Sequence, residues 1–475
     1  MKRKIFLFLM LLFLIIYIGT IIYHAYKPLP PGISFEGKKH IINDKDISFL
    51  TDLTYYEQNG KKIEKSIFPR LVQAIDEANE FIVLDFFLFN GYQNKGLNFP
   101  KVSETLVKRL IEKKKHNPNI RIIVISDEIN TSYGSYKLKE FENLKKNGID
   151  VIITNIDRLR DSTPLYSGLW RMFIKGFGLS EKGWLPNALA DNAPKMTIRS
   201  YLKLLNIKAN HRKIFATENS AIIFSGNPSH DASANFNNTA FEIKGPIIQD
   251  VLFSEQAAIH LSDRLKVPAF DSKEGRNGNI QAQLLTEGKV YKHIQSELAK
   301  TKKGDEIWMA MFYIADRTII HTLIEAANRG VNINLILDPN NNAFGHRKHG
   351  LPNHPVAQEL IKKGNGFIHI RWYKTLGEQF HPKLIFIQKR DISIIINGSS
   401  NLTFRNLADY NLETDVLVVA PNDSAIVEQV DSYFKRIWLN QNGLFTYPYN
   451  KEKDKWVFLE RGVYRLQELL QLTTY

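Results

Sequence analysis

The stretch EQFHPKLIFIQ, residues 378–388, sets His381 and Lys383 two positions apart at the head of an apolar run. Side chains alternate between the faces of a β-strand, so this spacing predicts an imidazole and an ammonium on one face while Leu384 and Phe386 anchor the other. An imidazole can attack or carry a proton, and a neighbouring ammonium can neutralise anionic oxygens, a pairing suited to phosphate chemistry. The pattern recurs in ANHRKIFATENS, residues 209–220, where His211 and Lys213 head a second apolar strand. A third copy, His346-Arg347-Lys348 in GHRKHGLPNHP, lies among Asn, Gly and Pro with no strand pattern after it, and is set aside. His346, His349 and His354 lack a carboxylate at ligand spacing, so they read as a polar loop at the mouth of a site and not as a metal cluster.

Two such strands need a repeated frame, and the hydrophobic periodicity supplies one. In the first half an amphipathic helix over about 68–78 precedes FIVLDFFLF, SETLVKRLIEKKK precedes IRIIVISD, and LKEFENLKKNG precedes IDVIIT. In the second half a helix over about 290–299 precedes EIWMAMFYIA, RTIIHTLIEAANRG precedes VNINLILD, and VAQELIKKG precedes GFIHIRWY. Helix and strand alternate in the same order twice, which predicts a duplicated α/β fold, each half carrying a largely parallel sheet.

The 475 residues carry a formal charge of +14, from 63 Lys and Arg against 49 Asp and Glu, which favours phosphate-rich partners, either nucleic acid or anionic lipid. At the N-terminus Lys2, Arg3 and Lys4 precede an uncharged apolar run from Ile5 to Tyr23. At ~1.5 Å per residue that run matches the hydrocarbon core of a bilayer. No small-x-small cleavage site follows, so the run reads as an uncleaved anchor. The positive-inside rule keeps the basic cluster in the cytoplasm and puts everything after Lys27 on the outer side. KPLPPG, residues 27–32, reads as a semi-rigid spacer. Cysteine is absent, which excludes disulfides and thiolate metal sites, and Asn401-Leu402-Thr403 is a glycosylation sequon inside the expected site. Together these point to a bacterial exported protein. The chain divides into an anchor (1–27), a linker and lead-in (28–66), a first half (67–265) with an insertion at about 160–208, a second half (280–440) and a tail (441–475).

The second HxK runs on into RDISIIINGSSNLTF, where Asp391 is followed after six residues by Gly398, Ser399 and, one residue further, Asn401. This string resembles the signature of the phospholipase D superfamily: HxK, four residues, Asp, six residues and GSxN, carried twice in one chain. Among its members the chain is similar to bacterial cardiolipin synthases and other membrane phospholipase D-like proteins. The second copy has three extra residues between Lys383 and Asp391, read as a longer hairpin. In the first copy Glu218 holds the aspartate position and SGNPS replaces GSxN, so Asn227 is the counterpart of Asn401, with Ser225 and Ser229 as alternatives. The resemblance covers about residues 67–439. It implies two α/β sandwich halves with one active site between them, in-line attack by one histidine, a covalent phosphohistidine, and protonation of the leaving alcohol by the other. Family habit makes His211 the nucleophile and His381 the acid/base. Lys213, Lys383 and Asn401 would hold the non-bridging oxygens, Glu242 and Glu413 would orient the imidazoles, and Asn227, Ser225, Ser399 and Asp391 would complete the substrate-binding set. Neither metal nor cofactor is required.

The insertion before His211 alternates Trp170, Met172, Phe173, Phe177 and Trp184 with Arg171, Lys175 and Lys182. That composition suits either a lipid headgroup layer, with Trp170 and Phe173 as contacts, or an insertion whose aromatics pack on the core. Combined with the anchor, it favours a phospholipid substrate of phosphatidylglycerol type and a single-pass membrane protein whose catalytic body is extracytoplasmic. WVFLERGVYRLQELLQL near the C-terminus reads as a helix packed on the body. Two alternatives stay open: an exported nuclease, supported by the net charge and by aromatics able to stack bases, and a binding protein whose irregular first motif has lost catalysis.

Overall fold

Strand 81–86 is buried on both faces, and its alternation shows how the protein is layered. Phe81 and Val83 point into a core shared by both halves, whereas Ile82, Leu84 and Phe86 point into an outer core under helices Ile67–Glu77 and Val102–His116. Strand Glu306–Met311 repeats this: Trp308 and Ala310 enter the shared core, and Ile307, Met309 and Met311 enter the outer core of the second half. A period of two with both faces covered is what near-continuous apolar strands require. The computed structural model describes residues 1–271, 278–343, 346–347, 350–450 and 462–467, with no side-chain description for 342–349.

Each half carries one mixed sheet. In the first, strands Phe81–Phe86, Arg121–Asp127 and Asp150–Thr154 run parallel, and Lys213–Thr217 lies antiparallel beside Phe81–Phe86. The second repeats this with Glu306–Met311, Asn332–Leu337 and Ile368–Tyr373, and with Lys383–Gln388 antiparallel beside Glu306–Met311. The HxK strands therefore sit in mid-sheet. The expectation of largely parallel sheets is corrected: each HxK strand is joined to the next by a tight hairpin, which forces antiparallel pairing through the rest of the sheet. The longer second hairpin is present, as strands Lys383–Gln388 and Ile392–Gly398 extend beyond their first-half counterparts Lys213–Thr217 and Ala221–Phe224.

Residues 28–66 are not a linker, and 27–32 are not a free spacer. The Lys27 carbonyl accepts from Arg160 at 2.9 Å, and Ile33 is buried against the group containing Tyr133, Leu159 and Ala257. Ser34 N–H donates to Glu287 and Phe35 N–H to Thr286, both at 2.7 Å, and His40–Ile42 pairs with Ile280–Thr286 at the edge of the second-half sheet. Strand Ile47–Glu57 then pairs with Asn238–Ile243 of the first half. One segment thus clasps both halves. At the other end, Thr446–Pro448 pairs with Ile368–Tyr373, and Tyr464 is buried with its hydroxyl donating to Ala315 O at 2.7 Å. The rest of the expected C-terminal helix lies outside the described residues, as do His349 and the side chain of His346. His354 is engaged in packing, its ring stacked on Trp372 at 4.4 Å.

Candidate active site

At the ends of the HxK strands the two halves repeat their contacts. His211 N–H donates to Leu412 O and His381 N–H to Asn237 O, each at 2.9 Å, so each histidine is clamped by the backbone of the opposite half. Ser399 and Ser225 correspond in the same way: their N–H groups donate to Thr414 O and Thr239 O, and their hydroxyls accept from the N–H of the same two threonines, both at 2.9 Å. Asn401 and Asn227, two residues on from those serines, are both buried, so the SGN of the first motif occupies the place of SSN in the second. Asn227 accepts from Leu88 N–H at 3.2 Å, while Asn401 Oδ1 is buried without a partner.

The alternation expected from HxK holds. Lys213 Nζ donates to its own motif's His211 O at 2.6 Å and Lys383 Nζ to His381 O at 2.7 Å. Each pair has an aromatic wall: Phe87 lies 5.1 Å from the His211 ring and under the Lys213 ammonium, and Phe312 lies 4.7 Å from the His381 ring and under that of Lys383. Arg212, between His211 and Lys213, points the opposite way. It is fully buried and donates to Glu287 at 2.7 Å, Glu255 at 3.1 Å and Ser254 O at 2.7 Å. Glu287 also accepts Glu413 N–H at 3.1 Å, so this buried ion network abuts the site.

Two positioning residues escaped the sequence reading. Asp127 accepts Asn210 N–H and Asp338 accepts Phe380 N–H, each at 2.7 Å, fixing the residue before each histidine. Burial raises both carboxyls to about 7. The signal was present, since IRIIVISD and VNINLILD both end on aspartate in the same repeat position.

The symmetry breaks at the orienting carboxylates. Glu413 accepts from His211 Nδ1 at 2.9 Å and is held from behind by the Ser399 hydroxyl and the Asn406 amide. The corresponding position in the first half, one residue before Thr239, is Asn238, whose Oδ1 is buried without a partner and whose amide turns to Ser233 O at 3.4 Å. The expected role of Glu242 is corrected. It pairs with Arg70 at 2.7 Å and with Ser220, at the other end of its strand from the histidines. Asp391 is corrected too: it lies exposed in the hairpin turn, 3.9 Å from Arg390, and Glu218 caps the matching turn by accepting Asn79 N–H at 2.6 Å. Trp170 is buried under Arg199 and is a packing residue, whereas Phe173 is exposed beside the N-terminal helix.

Burial, with the lysine ammoniums adding to it, pushes both histidines well below their ordinary value, so the rings are neutral in the empty site. Burial also lowers Lys213 to about 7, burial with the neighbouring Lys213 lowers Lys383 well below its ordinary value, and burial raises Glu413 to about 8 against the pull of Lys213. With Nδ1 of His211 donating to Glu413, its Nε2 carries the lone pair. His381 Nδ1 instead accepts from Lys383 Nζ at 3.0 Å, which places the ring proton on Nε2. One ring thus offers a nucleophile and the other a proton, beside two lysine amines and the Asn401 side chain.

Fold and site together define a protein of two matching α/β halves that share one histidine–lysine centre. Residues 294–438 match the family described as cardiolipin synthase, phospholipase D-like domain. Over 180 residues the chain is 26% identical to cardiolipin synthase 1 of two Staphylococcus epidermidis strains, covering 35% of this chain and 32% of theirs. The match thus spans about a third of the length of those relatives. The architecture is similar to the crystal structure of phosphatidylserine synthase from Haemophilus influenzae Rd KW20, with a TM-score of 0.57 and 11% identity over 92% of this chain and 97% of that one. Residues 294–438 thus match a phospholipase D-like domain, and the likeness of fold extends over both halves.

Proposed function

We propose that the protein is a membrane-anchored phosphatidyl-transferring enzyme that acts on an anionic phospholipid of phosphatidylglycerol type. The observation that carries this reading is the pair of complementary ring states, His211 backed by Glu413 and His381 backed by Lys383. His211 Nε2 attacks phosphorus in line with the leaving alcohol, so a P–N bond forms as the P–O bond breaks, and His381 Nε2–H gives its proton to the departing oxygen while its Nδ1 takes one from the Lys383 ammonium, leaving the ring neutral. The non-bridging oxygens lie against Lys213, Lys383 and the Asn401 amide, and their negative charge offsets the lysines that hold His381 acidic. An acceptor hydroxyl then loses its proton to His381 and attacks phosphorus, releasing His211.

Helix Lys2–Tyr26 supports the membrane reading: at 25 residues it is long and apolar enough to span, and its apolar stretch is not buried by the rest of the chain. Its basic head would lie in the cytoplasm and the catalytic body outside. The test is incubation of the purified full chain in mixed micelles with phosphatidylglycerol and, separately, single-stranded DNA. We expect a diphosphatidyl product and released glycerol, both lost in His211→Ala. Cleavage of DNA with no lipid product would replace this reading with the nuclease one.

A further inference from the structure

The insertion meets the N-terminal helix along its length and not merely at its end. The Tyr17 hydroxyl donates to Leu165 O at 2.7 Å. At Gly168 a β-carbon would come within 2.8 Å of Ile21 and 2.9 Å of Tyr17, so the absence of a side chain there allows the two helices to touch. The Phe173 ring lies 6.0 Å from that of Phe13. Phe13 sits near the middle of the uncharged run Ile5 to Tyr23. By helical rise it is ~15 Å along the axis from Tyr23, the body-side end of that run, and so near the midpoint of a hydrocarbon layer ~30 Å thick.

We infer that residues 164–179 penetrate the membrane leaflet nearer the body, with Phe173 and Phe177 among its acyl chains. This rests on the proposed reading that helix Lys2–Tyr26 spans the bilayer, because a span so placed carries its lateral partners to the same depth. The exposed surface of the segment fits that environment: Leu165, Leu169, Phe173, Phe177 and Leu179 all face outward. The charged groups in and beside it find partners within the protein, as a site in hydrocarbon favours. Arg171 is bidentate to Asp161 at 2.7 Å, Lys175 lies 3.7 Å from Asp157, and Arg199 donates to the carbonyls of Phe177 at 2.7 Å and Lys175 at 3.4 Å. The same segment is tied to the site. Asp161 pairs with Lys208 at 2.9 Å and Ala209 N–H donates to Asn411 at 3.0 Å, immediately beside His211 and Glu413. A lipid headgroup could therefore reach the histidines without its tails leaving the bilayer.

The chain has no cysteine, so single nitroxide labels can be placed at Leu11→Cys, Phe173→Cys, Phe177→Cys and the distant surface position Lys302→Cys. The full-length protein is reconstituted in phosphatidylglycerol/phosphatidylethanolamine vesicles, and collision with oxygen is compared with collision with a water-soluble nickel chelate. We expect labels at 173 and 177 to favour oxygen as the label at 11 does, and the label at 302 to favour nickel. Nickel access at 173 and 177 with position 11 still shielded would overturn this inference and leave the anchor standing. Nickel access at 11 as well would overturn both.

Discussion

Glu413 and Asn238 hold corresponding places in the two halves, but only Glu413 reaches a histidine. The site is therefore two-fold in its backbone and one-sided in its chemistry. Glu413→Gln keeps the shape but no longer holds His211 in the tautomer that frees Nε2, and we expect kcat to fall ~100-fold or more. Glu242→Gln should weaken the Arg70 pairing and leave kcat nearly intact. Steady-state kinetics on folded variants separates the two.

Phosphoenzyme should form on one ring only. With an activated phosphodiester whose leaving group needs no proton, His381→Ala should accumulate label on His211, stable to base and lost in acid, whereas His211→Ala should take up none. Label at position 381 would reverse the roles.

Asp338 is expected to act through the backbone before His381. Asp338→Ala leaves Phe380 N–H unpaired, a loss of ~1–3 kcal/mol, and should lower kcat with little change in KM. Its folded value of about 7 is above the ordinary carboxyl value. Its contribution to stability is therefore full below ~pH 4 and is lost as pH rises through about 7. Denaturation at pH 5 and pH 8 should show a smaller difference in Asp338→Ala than in the wild type.

Lys213, lowered to about 7 by burial, should make kcat/KM fall on the alkaline side as the free enzyme loses that ammonium. Lys213→Arg cannot lose its charge in this range. A slower enzyme with a flat alkaline limb is the expected profile.

Arg212 offsets the charges of Glu255 and Glu287 in a dry core. Arg212→Met strands them, and we expect a loss of ~3–5 kcal/mol in chemical denaturation.

The two HxK strands, their helices and the Asn401 string were legible because each rests on local periodicity. The orienting acid was not, because it depends on register between strands. Glu242 follows His211 by 31 positions and Glu413 follows His381 by 32, which makes them look equivalent. Yet Lys213 to Ser225 is 12 positions and Lys383 to Ser399 is 16, so the longer second hairpin shifts the count. Glu242 ends four residues up its strand, ~13 Å from the matching place. Trp170 misled for another reason: an aromatic stripe does not say which side is covered, and here Arg199 and the body cover it while Phe173 stays open.

The clasp formed by residues 34–42 has a consequence for how the protein is made. Phe35 is held by Thr286, a partner 251 positions later in the chain. At synthesis rates of ~5–20 residues per second the clasp must wait ~10–50 s after it is made before its partner strand exists. Through that interval the first half can pair Ile47–Glu57 with Asn238–Ile243, but residues 34–42 remain an open edge beside the N-terminal helix. The second half then arrives to a segment already tethered at both ends. Deleting residues 34–42 should therefore spare early folding of the first half and leave the second-half sheet without its outer strand, so that the two lobes form but do not close into one site.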